Sequence, residues 1–425
     1  MTAIMLRELI DRCSGRLPAD VEARARWLVL DTLGCAIAGS RSTVVGNWLD
    51  AQRLRDDPYG TCLDGARPTG AAMALAMGAC WDEACEGHAR AHGRPGVAAL
   101  AALWPRVSEL DLDHLLRALV IGYEVGARMG ALLRIGRGMH VDGNWPALGA
   151  AAAAASGLGL DQAGIVTAIN IAACQLPTSL YRPIETGDTA RNTYLGHGAM
   201  LGEMAAQAAA VGIGAPDDAV ESYARVAYGR SLDGETADST TYEILDGYFK
   251  PYAAARHVHY AAEAALQLRD RTTPESVRRI ELWTYEEATV YCGIRAPRTP
   301  LQAQFSLSFG VAAMLRWGCL GPSVYRGREF VDPLLRALED RVVVRVDPDW
   351  TGSGTRAARL RLGLSDGRTL EEVVLAVKGD RWLPWSEADL VEKFIGYSRE
   401  VLGEERATRL AEHILHAPGE AGVFP

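Results

Sequence analysis

A single histidine, His140, stands in a short glycine-rich loop that leads directly into an alanine tract. Residues 137–161 read RGMHVDGNWPALGAAAAAASGLGLD, and the small side chains of Ala147–Ala155 predict a tightly packed helix. Imidazole is the side chain whose ordinary pKa suits proton transfer near neutral pH. A rigid helix start holds such a side chain in one place. The segment predicts a positioned histidine, either for proton transfer or as a structural loop residue.

Lysine is scarce in this chain. Only Lys250, Lys378 and Lys393 occur among 44 basic residues. A lysine retained where arginine is the rule indicates either a position at which the chemistry differs or chance survival under a GC-rich codon bias. Both interpretations stay open for each lysine.

Known catalytic and ligand-binding motifs are absent from the sequence. It contains no GxGxxG after a predicted strand, no GxxxxGK[ST], no HExxH and no GxSxG. His257 and His259 form an HxH pair, and Glu86, His88 and His92 have helical spacing, but no fourth ligand is evident. We therefore interpret the second group as a solvated helix end and predict no metal site.

Composition places the chain among globular proteins, with 48% hydrophobic and 23% charged residues in a length of 425. A net charge of −9 argues against nucleic-acid binding, so an anionic substrate would need a local cluster of cations. No apolar run reaches the roughly 18 residues that span a bilayer. The charged N-terminal segment predicts an amphipathic helix, not a signal peptide. Eight cysteines without a CxxC pair predict reduced thiols in a cytoplasmic protein.

Hydrophobic periodicity changes along the chain, which indicates two kinds of domain. Predicted helices before residue 250 are Val21–Ala38, Gly70–Ala84, Asp113–Arg134, Ala147–Gly157, Asp161–Ala173 and Tyr194–Val211. Predicted strands are Val277–Thr284, Val342–Val346, Arg359–Leu364 and Glu371–Val377, with helices at Leu301–Trp317, Pro333–Leu338 and Ser386–Leu415. We expect a mainly α protein: a large all-helical domain (residues 1–255 and 392–425) and a smaller α+β domain (residues 256–391).

Several segments, taken in chain order, share patterns with one protein family. They are Arg26–Ser40 (RWLVLDTLGCAIAGS), Glu83–Gly96 (EACEGHARAHGRPG), Gly122–Gly130 (GYEVGARMG), Arg137–Asp161, Thr189–Ala206, Lys250–Ala264, Ala303–Leu315 and Asp366–Phe394. Together they resemble the MmgE/PrpD family, which includes 2-methylcitrate dehydratase and cis-aconitate decarboxylase. The resemblance implies a helical domain with an α+β lid domain, a homodimer and no cofactor.

The resemblance also assigns individual positions. Those that keep the family's residue type are Glu83 and Glu86 (acidic positions), His140 (the catalytic histidine), Lys250 (a retained lysine) and His259 (a later histidine). Those that depart from it are Cys85 (for Asp), Arg94 (for His), Arg191 (for Lys), Ala255 (for Cys or His) and Phe309 (for Tyr).

Family chemistry is proton transfer next to a carboxylate, with loss of water or carbon dioxide. The resemblance implies that His140 abstracts the proton and that Lys250 and Glu83 complete the catalytic set. Arg94 and Arg191 would clamp a small carboxylate or phosphate in a two-pronged fork, which lysine cannot form. Further candidate substrate-binding residues are His259, Asn144 and Tyr194.

Three functions remain open at this stage. The first is a cofactor-independent lyase of a specialised pathway that acts on a small anionic substrate by a dehydratase-like elimination, with a carbon–oxygen lyase favoured over a decarboxylase. The second is an isomerase or epimerase, which shares the proton abstraction but has no leaving group. The third is a paralogue without activity that serves as a binding protein.

Overall fold

A computed structural model describes residues 3–52, 68–232, 241–327, 332–380 and 382–425. Helices dominate its N-terminal two thirds. They are α1 (Ala3–Ser14), α2 (Ala19–Ser40), α3 (Thr43–Ala51), α4 (Pro68–Trp81), α5 (Pro95–Leu103), α6 (Leu112–Leu132), α7 (Pro146–Gly157), α8 (Gln162–Ala173), α9 (Arg182–Thr186), α10 (Tyr194–Ala210) and α11 (Ala219–Tyr228). Two helices at the end of the chain, α18 (Glu387–Leu402) and α19 (Glu404–His416), pack on α2 and complete this helical region.

The alanine tract forms α7, at the centre of the helical region. Pro146 occupies its first turn, where the missing backbone N–H costs nothing. α7 packs between α6, α5 and α10, and its residues from Pro146 to Ala155 are all buried. A methyl group on Gly149 would lie 2.5 Å from the carbonyl oxygen of Gly122 in α6. The absence of side chains therefore sets how closely these two helices approach.

A second region contains a four-stranded sheet with helices packed on it. Its elements are α12 (Arg256–Arg269), α13 (Glu286–Cys292), α14 (Pro300–Gln304), α15 (Leu307–Trp317), α16 (Pro333–Asp340) and α17 (Pro348–Ser353), with strands β5 (Val277–Thr284), β6 (Val342–Val346), β7 (Ala358–Leu364) and β8 (Thr369–Val374). The strand order is β6-β5-β7-β8. β5 and β6 are parallel, whereas the other pairs are antiparallel. α12 packs on β7, β8 and α15.

Four two-residue strands tie the connecting loops together. β1 (Gly87–His88) pairs with β4 (Gly247–Tyr248), and β2 (Met139–His140) pairs with β3 (Ser179–Leu180). Both pairings are antiparallel and join segments that lie far apart in the chain. They join the loop after α4 to the loop after α11, and the loop after α6 to the loop after α8.

The predicted fold class is confirmed: a large helical region and a smaller region that combines helices with a sheet. The helix predicted over Leu301–Trp317 is wrong in one respect, because it is two helices. Ser306 interrupts it and caps α15, since its hydroxyl accepts a hydrogen bond from the Phe309 N–H at 3.1 Å. The exact domain boundaries remain a prediction.

Two other predicted elements need correction. The helical tail Ser386–Leu415 is broken at Gly403, whose φ of 79° no helix accommodates. The strand predicted over Glu371–Val377 spans Thr369–Val374, because its pairing with β7 begins directly after the turn at Gly367.

Cysteines and membrane-spanning candidates give little further information. Of the cysteines that the structure describes, Cys174 and Cys319 are exposed, the others are buried, and all are free thiols; Cys62 lies outside the described residues. No single helix among the described ranges is long and apolar enough to cross a membrane. The pair α2 and α3, bent by 96° at their junction, passes that test together by length and composition alone.

Replacing Gly149 by alanine tests the close approach of α6 and α7. Because the new methyl group would meet backbone atoms, we expect the free energy of unfolding to fall by about 2–3 kcal/mol in urea denaturation. The matched control is Gly396→Ala in the exposed interior of α18, where nothing lies within 4 Å of the new methyl group. That variant should gain up to about 1 kcal/mol. Equal effects of the two substitutions would contradict the packing argument.

Candidate functional site

A cavity of about 290 Å³ opens between the helical region and the sheet region. Segments 83–94, 130–145, 181–191 and 248–255 form its helical wall, and segments 256–257 and 287–305 with Arg356 form the opposite wall. Of the residues predicted for the site, Glu83, Arg94, His140, Arg191 and Lys250 all line it. Residues up to 167 positions apart in the chain are therefore brought into one enclosure.

Glu83 is the centre of the helical wall. It follows the end of α4 with a φ of 55°, which non-glycine residues seldom adopt. Its buried carboxylate accepts hydrogen bonds from Arg94, from Arg191 and from Lys250, whose Nζ lies 2.6 Å from Oε1. Lys250 Nζ also donates to the Glu83 carbonyl oxygen at 3.0 Å. Burial opposes ionisation of Glu83, but Arg191, Arg94 and Lys250 hold its pKa well below the ordinary value.

Asp142 is the second carboxylate of this wall, and it is also buried. It pairs with Arg94 and lies 3.5 Å from Arg191. Although burial favours the neutral acid, Arg94, His140 and Arg191 lower the pKa of Asp142. Three cations thus face two carboxylates, which leaves one formal positive charge beside the cavity. Such an excess attracts an anionic ligand.

His140 lies in β2, two residues before Asp142. Its Nδ1 accepts a hydrogen bond from the Asp142 backbone N–H at 3.2 Å, so the neutral ring carries its proton on Nε2. No described residue bonds Nε2, and the ring lines the cavity. Burial lowers the pKa of His140 to about 4, with Arg191 and Arg94 adding to the effect and Asp142 opposing it. In this tautomer the neutral His140 ring presents an N–H donor to the cavity, and its role as the proton acceptor stays a prediction.

Three predicted substrate-binding residues lie behind the cavity wall. Asn144 donates to the Pro177 carbonyl oxygen at 2.8 Å and to the Tyr223 hydroxyl at 2.9 Å. Tyr194 packs edge-on against the His140 ring at 5.8 Å and donates to a backbone carbonyl. His259 is fully buried, with Nε2 3.0 Å from a backbone carbonyl oxygen. The structure brings none of the three to the cavity surface.

Glu86 and His88 are buried, so the prediction of a solvated helix end is wrong for both residues. Glu86 Oε1 accepts hydrogen bonds from two backbone N–H groups at the start of α5, at 2.8 and 3.3 Å. Burial raises the pKa of Glu86 to about 8. His88 Nε2 lies 3.2 Å from Glu243. Within the described ranges, no group of three or more His, Cys, Asp or Glu is arranged to hold a metal ion.

Positions that depart from the family pattern lie in different places. Ala255 lines the cavity, so the Cys or His expected there has been replaced by a methyl group. Phe309 is fully buried and stacks on Tyr325 at 6.0 Å, away from the cavity. The loss of a tyrosine at position 309 therefore removes no group from the wall described here.

Sequence reasoning missed the opposite wall of the cavity. A row of stacked and edge-packed rings crosses from the helical wall to this opposite wall, in the order His140, Tyr181, Tyr291 and His257, with centroid distances of 5.9, 5.5 and 5.8 Å. His257 Nδ1 lies 2.7 Å from the Tyr285 hydroxyl, and no described residue bonds its Nε2. Burial, followed by Arg356, holds the pKa of His257 well below its ordinary value. The sequence feature that could have revealed this wall was His257, which stands two residues after Ala255, where the family has Cys or His.

Comparison with known proteins agrees with this architecture. Residues 13–235 match the family model of the MmgE/PrpD N-terminal domain, and residues 252–417 match that of the C-terminal domain. A cis-aconitate decarboxylase-like protein, oryM, of Aspergillus oryzae is 24% identical over 96% of this chain and 92% of its own. A cis-aconitate decarboxylase of Aspergillus terreus is 24% identical over 96% of this chain and 91% of its own.

Removing the charge of Glu83 tests its role as a counterion. In Glu83→Gln, Asp142 would be the one carboxylate left in the cluster to face the three buried cations. We therefore expect the free energy of unfolding to fall by about 3–5 kcal/mol. Urea denaturation measures it, and Glu185→Gln is the control because that carboxylate pairs with Arg182 at the surface. A loss below about 1 kcal/mol for Glu83→Gln would contradict the role.

His140 also predicts a pH dependence of stability. Between pH 6.5 and pH 4 the His140 ring is protonated in the unfolded chain but remains largely neutral in the folded chain. Acidification over this range therefore destabilises the native state. Relative to His140→Asn, wild-type protein should lose up to about 3 kcal/mol by pH 4. Unfolding free energies of both proteins across this range measure the difference. Parallel curves would show that His140 titrates normally.

Proposed function

The chain belongs to the MmgE/PrpD family, and from that premise we propose that it is a lyase that removes water from a small carboxylate substrate. The observation that carries the proposal is the neutral His140 imidazole, which presents Nε2–H beside a cluster with one excess positive charge. Hydrogen-bond donors fixed beside cations stabilise negative charge that develops on a substrate oxygen. That charge arises when the carbon next to a carboxylate loses a proton.

His140 acts in this mechanism as an electrophile. It donates from Nε2 to the substrate carboxylate, whose oxygens become more negative as the adjacent carbon is deprotonated. A neutral imidazole suits this role because the bond strengthens without a full proton transfer. The negative charge that develops on the substrate carboxylate is also stabilised by nearby cations. These are Lys250, which is bonded to Glu83, and the guanidinium groups of Arg94 and Arg191.

His257 is the proton acceptor of the proposed elimination. It lines the cavity, stays neutral, and has Nε2 free of any described partner. In the proposed tautomer Nδ1–H donates to the Tyr285 hydroxyl oxygen, which leaves Nε2 as the acceptor. The imidazole takes the proton from carbon, the electron pair forms the double bond, and the carbon–oxygen bond breaks. The protonated His257 then gives its proton to the departing hydroxyl, so water leaves and the ring returns to its neutral form.

Decarboxylation is the second candidate, favoured by the names of the relatives. In that reaction the carbon–carbon bond to the leaving carboxylate breaks, and the electron pair that remains is stabilised by the same donors before it is protonated. The two candidates share the charge-stabilising wall and differ in the bond that breaks.

Two probe compounds separate these candidates. Purified protein is incubated in D₂O with citrate, a hydroxy acid, and with cis-aconitate, and proton NMR records products while released carbon dioxide is assayed. Dehydration predicts an unsaturated product from citrate without carbon dioxide, and decarboxylation predicts carbon dioxide from cis-aconitate. If the protein converts neither compound, that result counts against both dehydration and decarboxylation of tricarboxylates.

Two variants test the assigned roles. We expect His140→Asn to lower kcat about 10²–10³-fold, as the loss of one charge-stabilising donor does, and His257→Asn to lower it about 10²–10⁴-fold. Steady-state kinetics on the accepted probe measure both. His197→Asn, an exposed position of α10, is the matched control and should leave kcat unchanged. Wild-type turnover by His140→Asn would refute the mechanism.

A further inference from the structure

Most basic side chains that line the cavity already have a carboxylate partner. Arg94, Arg191 and Lys250 bond to Glu83, and Arg94 bonds to Asp142 as well. On the opposite wall, Arg256 is similarly bonded to Asp380. These side chains supply a positive field, but their donors are largely engaged before any ligand arrives.

Arg356 differs from these residues. It lies between α17 and β7, lines the cavity, and its side chain is only 21% exposed. Its one described ion pair joins Nη2 to Glu287 Oε2 at 3.9 Å, which is too long for a hydrogen bond. Glu287 is itself 39% exposed and lies equally far from His92. No described residue accepts a hydrogen bond from the Arg356 guanidinium.

Burying a guanidinium without a bonded counterion costs free energy, unless a ligand supplies the missing negative charge and hydrogen-bond acceptors. Its planar fork of N–H donors matches a carboxylate in two-pronged geometry. Arg134 also has no described ion-pair partner, but it is exposed at the cavity mouth, where water solvates the charge. The buried Nε atoms of Arg94, Arg191 and Arg256 also lack a partner, but each of these guanidinium groups bonds a carboxylate through another nitrogen. Among the described cavity-lining arginines, Arg356 is therefore the largely buried one whose guanidinium bonds no carboxylate.

The position of Arg356 relative to the reacting groups gives it a defined task. Arg356 is close enough to His257 to lower the pKa of that ring, which is the last ring of the aromatic row that begins at His140. Lys250 of the Glu83 cluster acts on His257 in the same direction. A ligand that occupies the cavity along this row would meet the donor of His140 with one end and Arg356 with the other.

We propose that Arg356 binds a carboxylate of the substrate in a two-pronged fork and so selects substrates with a second anionic group. The proposal rests on the proposed lyase function. The bound carboxylate places the reacting carbon between His257 and His140. Because Arg356 belongs to the sheet region and His140 to the helical region, the ligand also joins the two walls of the cavity.

Binding of tricarballylate, a tricarboxylate without a leaving hydroxyl, tests this independently of turnover. Isothermal titration calorimetry compares wild type with Arg356→Gln, Arg356→Lys and the control Arg368→Gln on an exposed turn of the same region. We expect Arg356→Gln to raise the Kd about 30-fold or more, because removing one partner of a desolvated charge pair leaves the other charge unpaired. Arg356→Lys should recover part of the loss, because it keeps the charge but not the fork. Arg368→Gln should bind as wild type does.

Thermal unfolding distinguishes a loss of ligand binding from a loss of the folded state. Without ligand, all variants should melt close to wild type; with tricarballylate, wild type and Arg368→Gln should be stabilised and Arg356→Gln should not. Wild-type Kd in Arg356→Gln overturns the proposal, as does the failure of wild type to bind tricarballylate. If inorganic phosphate binds more tightly than tricarballylate and depends on Arg356, the assignment to a carboxylate is wrong.

Kinetics separate this proposal from the proposed function. On an accepted probe, Arg356→Gln should raise KM about 30-fold or more, with a smaller change in kcat. If wild type binds tricarballylate through Arg356 but converts neither citrate nor cis-aconitate, the lyase proposal fails and the subsite stands. If turnover is present and Arg356→Gln keeps the wild-type KM, the subsite fails and the lyase proposal stands.

Discussion

The cluster around the Glu83 carboxylate is the interaction on which the cavity depends. One buried acid holds Arg94, Arg191 and Lys250 in place, and Arg94 in turn holds Asp142. Without that acid the three cations would repel one another in a region with little water to screen them. The Asp142 backbone then fixes the His140 tautomer. A single carboxylate in an unfavourable backbone conformation thus determines which atom of the histidine meets a ligand.

The two walls of the cavity contribute in different ways. The helical wall is rigid, since α7 packs against α6 with glycine and alanine at the contact. Its charges are paired internally, so it supplies a fixed field and one imidazole donor. The opposite wall carries His257 and Arg356, whose cavity-facing atoms have no bonded partner among the described residues. Under the proposed function, charge stabilisation thus belongs to the helical wall and ligand capture to the opposite wall.

Much of the fold could be predicted, because helical and strand periodicities differ and the apolar positions follow them. The bounds of β5 are those expected from alternation alone. Breaks were harder: a continuous apolar pattern around Ser306 conceals a helix cap, which only tertiary packing makes necessary. The resemblance to a family named Glu83, His140 and Lys250 as site residues. It could not show which charges neutralise one another, since spacing along the chain does not determine contacts across it. Arg356 was missed because nearly all of the 44 basic residues are arginine, so residue type carried no signal there.

The long sequence separations within the Glu83 cluster have a consequence for how this protein folds. The partners of Glu83 stand 11, 108 and 167 positions away along the chain. Closing loops of this length costs more chain entropy than forming local contacts does. Until Glu83 is in place, Arg94 and Arg191 are like charges that resist being brought together. A nascent chain that has not yet supplied Lys250 therefore cannot complete the Glu83 cluster.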